Sequence, residues 1–74
     1  MTSVKKNPVL LDVVALLVDR PENELARGQV GTVVEKLDER HVLVEFSDDQ
    51  GRAYALVPCA ASDLMVLHYL PQAA

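Results

Sequence analysis

The chain has a single cysteine, Cys59, so no disulfide can form within it. A small fold that secretion would normally staple by oxidation must here be held by its apolar core, which fits a cytoplasmic setting. Clustered positive charge is also missing. Seven Lys plus Arg stand against eleven Asp plus Glu, a formal net charge of −4. The basic residues Lys5, Lys6, Arg20, Arg27, Lys36, Arg40 and Arg52 are scattered, and several sit beside acids, as in Asp19-Arg20 and Glu39-Arg40. A phosphate backbone is bound by concentrated cations, so nucleic acid is disfavoured as a partner, and a basic protein suits the balance better. No apolar run approaches the roughly 20 residues that cross a bilayer as a helix. Lys5-Lys6 followed by residues 8–18 superficially resembles an export signal. However, Asp12 interrupts the run, and Asp19-Arg20-Pro21-Glu22 stands where small cleavage-site residues belong. Internal repeats and low-complexity tracts are absent.

What is present is apolar material. The hydrophobic residues make up 50% of 74 residues, enough for one domain with a real core and some apolar surface left for a partner. Residues 1–8 read as a flexible lead-in ending at Pro8, residues 9–70 as a single β domain, and residues 71–74 as a loose tail. Residues 12–18 are short and rich in β-branched side chains, which favours a strand, although periodicity alone does not separate this run from a short buried helix. Residues 19–27 are polar and contain Pro21, which marks a connection, with Leu25 plugging one end of the core. Residues 28–37 read as a second strand. Its glycines, Gly28 and Gly31, mark turn or bulge geometry or close backbone approach. Residues 41–46 alternate cleanly, with Val42, Val44 and Phe46 on one face and His41, Leu43 and Glu45 on the other. The segment 47–51 is a turn in which Gly51 suits a positive φ. Residues 52–57 alternate again, with Ala53, Ala55 and Val57 opposed to Arg52, Tyr54 and Leu56. Pro58, which offers no ladder donor, is expected to end that strand. Residues 59–63 suit one helical turn, and residues 64–68 a last strand. This order, with a long first connection, two tight hairpins and a helical turn before the last strand, predicts an all-β, five-stranded SH3-like barrel. The rival is an open sheet that dimerises through residues 12–18, apolar on both faces, and it leaves room for a homodimer.

The candidate chemistry is thin. Cys59 as a nucleophile needs a neighbouring base, and nothing places His41 or His68 beside it; a buried structural thiol is the simpler reading. Cys59, His41 and His68 lack the close ligand pairs of a structural zinc site, so no metal and no cofactor are expected. Asp48-Asp49 lacks the alternating acids and the distant Glu of a calcium loop. The Gly28–Gly31 pair enters a strand rather than a helix, so it does not form a phosphate cradle. Glu22, Glu24, Glu35, Glu39 and Glu45 read as a solvated acidic surface. No catalytic constellation remains, and the chain is not expected to be an enzyme. The most informative surface is the strand pair 41–46 and 52–57. If Val42, Val44, Phe46, Ala53, Ala55 and Val57 face inward, then Leu43, Glu45, Arg52, Tyr54 and Leu56 face outward. An aromatic and two leucines among charges are either a protein-contact patch or a face covered by the helical turn or the C-terminal tail.

The wording of the chain adds a resemblance. Asp12-Val13-Val14-Ala15-Leu16-Leu17, Pro21-Glu22, Leu25, Arg27-Gly28-Gln29-Val30-Gly31-Thr32-Val33-Val34, Val44-Glu45-Phe46, Asp49, Gly51-Arg52-Ala53-Tyr54-Ala55 and Asp63-Leu64 resemble a bacterial family of small proteins called domain of unknown function 4926. The resemblance covers roughly residues 11–68 and implies no catalytic residues. A weaker similarity, resting on Leu25-Ala26-Arg27-Gly28 and Gly31-Thr32-Val33-Val34, runs to the SH3-like barrel of nitrile hydratase β subunits and their accessory proteins. That similarity implies support of a metal enzyme rather than chemistry, and the cysteine-rich metal motif of the catalytic partner is not present here. A looser likeness to KOW segments implies RNA binding, against which the acidic charge argues. The expected function is a small non-catalytic protein-binding module, such as an antitoxin-like or immunity-like protein or an accessory subunit. The alternatives are a KOW-like nucleic-acid-binding barrel and a nitrile-hydratase-type accessory protein.

Overall fold

The structure is a computed structural model, and it describes residues 7–68. There are five strands, with a long connection after the first and short ones after the others: β1 (Val13–Leu16), β2 (Val30–Lys36), β3 (His41–Ser47), β4 (Ala53–Ala60) and β5 (Leu64–Val66). They form one antiparallel sheet in the order β4-β3-β2-β1-β5. Two 3-10 turns, Pro21–Asn23 and Ala61–Asp63, lie in the β1–β2 connection and before β5. Of the expected lead-in, residues 1–6 fall outside the described residues, as does the expected tail over 71–74; Pro8 is buried.

The all-β class, the strand number and the helical turn before the last strand are those expected from the sequence. β4 and β5 are the two ends of the hydrogen-bonded order, and no ladder joins them among the described residues. Side chains from all five strands meet in the interior. Val14 and Leu16 of β1, Val33 of β2, Val42, Val44 and Phe46 of β3, Val57 and Cys59 of β4, and Leu64 of β5 form one buried cluster. Leu25 completes it from the first connection, as its position suggested. Reciprocal backbone hydrogen bonds to Arg20, 2.8 and 3.0 Å, fold the loop so that Leu25 points inward. β1 is not an edge strand, because it is hydrogen-bonded to β2 on one side and to β5 on the other.

Several strand boundaries differ from expectation for local reasons. β1 stops at Leu16, and Leu17 and Val18 are exposed. Gly28 (φ 95) turns the chain ahead of β2 and donates to the Leu16 carbonyl at 2.7 Å. Pro58 does not end β4; the strand runs through it to Ala60, and Cys59 and Ala60 belong to β4 rather than to the helical turn. Proline is tolerated because β4 is an edge strand. Pro58 lies opposite Leu43, and its carbonyl receives Arg20 Nη1 at 3.5 Å rather than a strand. Ala53 is exposed rather than inward. The register shifts between Phe46 and Ser47, so that Tyr54 is an extra residue on β4 and the alternation loses phase there.

Gly31 is the point of closest backbone approach. It pairs with Val14 of β1 and Phe46 of β3. A Cβ there would lie 2.6 Å from Val44 Cγ1, 2.8 Å from the Glu45 carbonyl oxygen and 2.9 Å from Phe46 Cδ1. The space a side chain would need is filled by Val44, the β3 backbone and Phe46, the last being the largest fully buried residue of the core.

Candidate functional site

Alternation across β3 and β4 sends Val42, Val44, Phe46 and Val57 inside and leaves the opposite face outward. On that outer face Glu45 lies between Thr32 of β2 and Leu56 of β4, and Leu43 faces Pro58. Leu43 and Glu45 are half-buried, whereas Tyr54 and Leu56 are 46% and 57% exposed. The 3-10 turn Ala61–Asp63 therefore does not cover them. The Tyr54 hydroxyl accepts a hydrogen bond from Gln29 Nε2, and Gln29 Oε1 accepts from the Ala26 amide at 2.6 Å. Gln29 thus links the end of the first connection to β4.

Exposed apolar side chains on the outer face are not confined to the hairpin. Ala15 on β1 is paired with Val30 on one side and Met65 on the other, which places all three on the outer face. Ala15 is only 7% exposed, while Val30 and Met65 are 47% and 49% exposed. Sequence reading missed Val30 and Met65. Their signal was present in the alternation of Val30 with Gly31 and of Met65 with Leu64 and Val66, but short strands give it little length.

Arg52 lies in the β3–β4 turn. Asp48 Oδ1 accepts from the Gln50 and Arg52 amides at 2.9 Å each, and its Oδ2 pairs with Arg52 Nε at 3.2 Å. The Arg52 amide hydrogen bond is the main reason the Asp48 carboxyl is held below its usual range. The β2–β3 turn repeats the device. Asp38 Oδ1 accepts from the Arg40 amide at 2.7 Å and contacts His41 Nδ1 at 2.9 Å, and the Arg40 amide leads in lowering the Asp38 pKa. Beside this turn a cavity of about 490 Å³ is lined by Asn7, Glu39, Arg40, His41, Ala60, Ala61 and Ser62.

Cys59 is 1% exposed, and burial pushes its thiol pKa up. Its sulfur contacts the Val57 carbonyl at 3.6 Å, and it is not poised as a thiolate. Among the described residues no three His, Cys, Asp or Glu side chains are grouped to hold a metal ion, and no helix is long and apolar enough to cross a membrane.

No curated protein and no solved structure matches the chain. A family model matches residues 10–66, a span that enters before β1 and leaves at the last residue of β5. The chain belongs to the family described as Domain of unknown function (DUF4926).

Proposed function

We propose that the chain is a non-catalytic protein-binding module of a bacterial cytoplasm, acting as an antitoxin-like or immunity-like protein or as an accessory subunit of a larger partner. The observation that carries this reading is the outer sheet face. Tyr54, Leu56, Val30 and Met65 are each about half exposed or more while the core on the other face is already filled. Apolar side chains held on a rigid sheet lose little freedom on docking, which favours a contact surface. The net charge of −4 suits a partner with a basic rim around an apolar centre. Arg20 and Arg52 are paired with Glu22 and Asp48, which leaves less free positive charge for a phosphate backbone.

The test is an affinity pull-down of the tagged protein from its own cell lysate, run beside Tyr54→Ala and Leu56→Ser. One dominant protein partner, lost in both variants while their melting temperatures stay close to wild type, is the expected result. A partner unaffected by either substitution, or none at all, removes the patch. Retardation of RNA by the pure protein at low salt would favour the KOW-like alternative instead.

A further inference from the structure

β4 is an end strand of the sheet, so one row of its backbone amides and carbonyls has no neighbouring strand among the described residues. Such a row is a template for pairing with a second copy of the chain. Arg20 Nη1 donates to the Pro58 carbonyl at 3.5 Å, so this carbonyl points away from β3. Successive strand residues turn their backbone groups to opposite sides. Leu56, Pro58 and Ala60 therefore share the free edge, while Ala55, Val57 and Cys59 face the β3 ladder. In the middle of that edge proline has no amide to donate, and its one acceptor is already taken. Arg20 is itself held in place. Its Nε donates to Glu22 Oε2 at 3.2 Å, its side chain is 24% exposed, and its backbone exchanges two hydrogen bonds with Leu25. Towards the β3–β4 turn, the extra residue Tyr54 breaks the regular spacing of the strand. At the other end, Ala60 is the last residue of β4. Leu56 is left as the unobstructed interior position of the edge. β5, the opposite end of the sheet, has three residues, and its Leu64 amide is taken by the Ala61 carbonyl. The long edge carries the obstruction, and the short edge offers little to pair with.

We propose that Arg20 and Pro58 together close the β4 edge against strand addition by a second copy of this chain. Proline costs the fold no ladder bond, because position 58 faces away from β3. A β-branched residue would suit an extended strand better, so strand formation alone does not call for proline here. The arginine comes from the first connection, 38 residues away in sequence, and brings a charge that a pairing strand would have to desolvate. The inference is independent of the protein-binding reading, which concerns the outer face of the sheet and not its edge.

The experiment is sedimentation velocity over a concentration series of the full chain. The samples are the wild type, Pro58→Val, Arg20→Ala/Pro58→Val, and that double variant carrying either Leu56→Ala or Leu56→Pro. A monomeric wild type and a dimerising double variant are expected. Pro58→Val alone should dimerise about tenfold more weakly than the double variant, because Arg20 still occupies the carbonyl. Leu56→Ala keeps the edge amide and should leave the dimer intact, whereas Leu56→Pro removes that amide and should restore the monomer. If the double variant melts below the working temperature, Pro58→Val against the wild type decides. Variants that stay monomeric at the highest soluble concentration would overturn the proposal, as would a wild type that dimerises as tightly as they do. Loss of the dimer with Leu56→Ala as well would place the contact on the outer face, and persistence with Leu56→Pro would place it elsewhere. Either result would overturn the proposal too.

Discussion

A methyl group added at Gly31 would meet Val44 Cγ1, the Glu45 carbonyl and the Phe46 ring within 3 Å, so its cost is set by neighbours rather than by φ. Overpacking of a tight core costs about 1–3 kcal/mol and sometimes more. Two of the three neighbours here are the strand backbone and a wholly buried ring, which yield little. Gly31→Ala is therefore expected at the upper end of that range or beyond it, read as a fall in the urea midpoint. Gly28→Ala is the contrast. Nothing lies within 4 Å of a Cβ there, and only its positive φ opposes the change, at about 1–2 kcal/mol. Equal losses at the two positions would show that the core relaxes around residue 31. The sequence marked both glycines as turns, bulges or close approaches. It did not separate them, because the atoms that crowd Gly31 belong to β3 and their register against β2 is a tertiary fact. Leu43, Tyr54 and Leu56 were legible from alternation, while the exposed Leu10 and Leu11 were not, since exposure in a turn has no periodicity to betray it.

At the scale of elements, both hairpin turns are organised by an aspartate that collects backbone amides: Asp38 between β2 and β3, and Asp48 between β3 and β4. Composition identified the second as a solvated turn and placed Gly51 at positive φ, as observed at φ 80. It did not show that one carboxylate knits the turn, because that depends on which oxygen meets which amide. Both carboxyls are held below their ordinary values by hydrogen bonds to backbone amides first and by their His41 or Arg52 partners as well. A carboxyl with a lowered folded pKa contributes stability that is fully present above the unfolded value. That contribution is lost as pH falls through the folded value. The window therefore lies at and below the ordinary carboxylate value of roughly 4. Thermal melts from about pH 6 to about pH 3 should show the wild type losing stability over the acid end. Asp48→Ala should start lower and fall less steeply. Parallel curves would mean that the turn holds without its carboxylate. Strand limits were the least legible part of the elements. Pro58 misled because its meaning depends on whether its strand is central or an edge, and Ala53 because a bulge at Tyr54 resets the alternation.

For the whole molecule, the order of turns and strands was enough to predict the sheet, and the buried set Val42, Val44, Phe46 and Val57 followed from it. What the sequence did not show is that no ladder joins β4 to β5 among the described residues, although Val57, Cys59 and Leu64 share one buried cluster. A 74-residue domain depends on few side chains. Most core members are valine or leucine, and Phe46 is the one aromatic among them. Replacing a buried phenylalanine with alanine costs about 3–5 kcal/mol, and a domain of this size holds only a few kcal/mol in reserve. Phe46→Ala should therefore unfold the molecule outright rather than loosen one corner. Cys59 reports the difference, because it lies in the same cluster, is 1% exposed, and has a thiol pKa raised by burial. A thiol reagent at neutral pH should label the wild type only as fast as the whole sheet opens, and should label Phe46→Ala at the rate of a free cysteine. Leu56→Ser, on the outer face of the same strand as Cys59, should leave the thiol protected. If Leu56→Ser exposes Cys59 as Phe46→Ala does, the two faces of the sheet are not independent, and the outer face would have to be read as part of the core rather than as a surface kept for a partner.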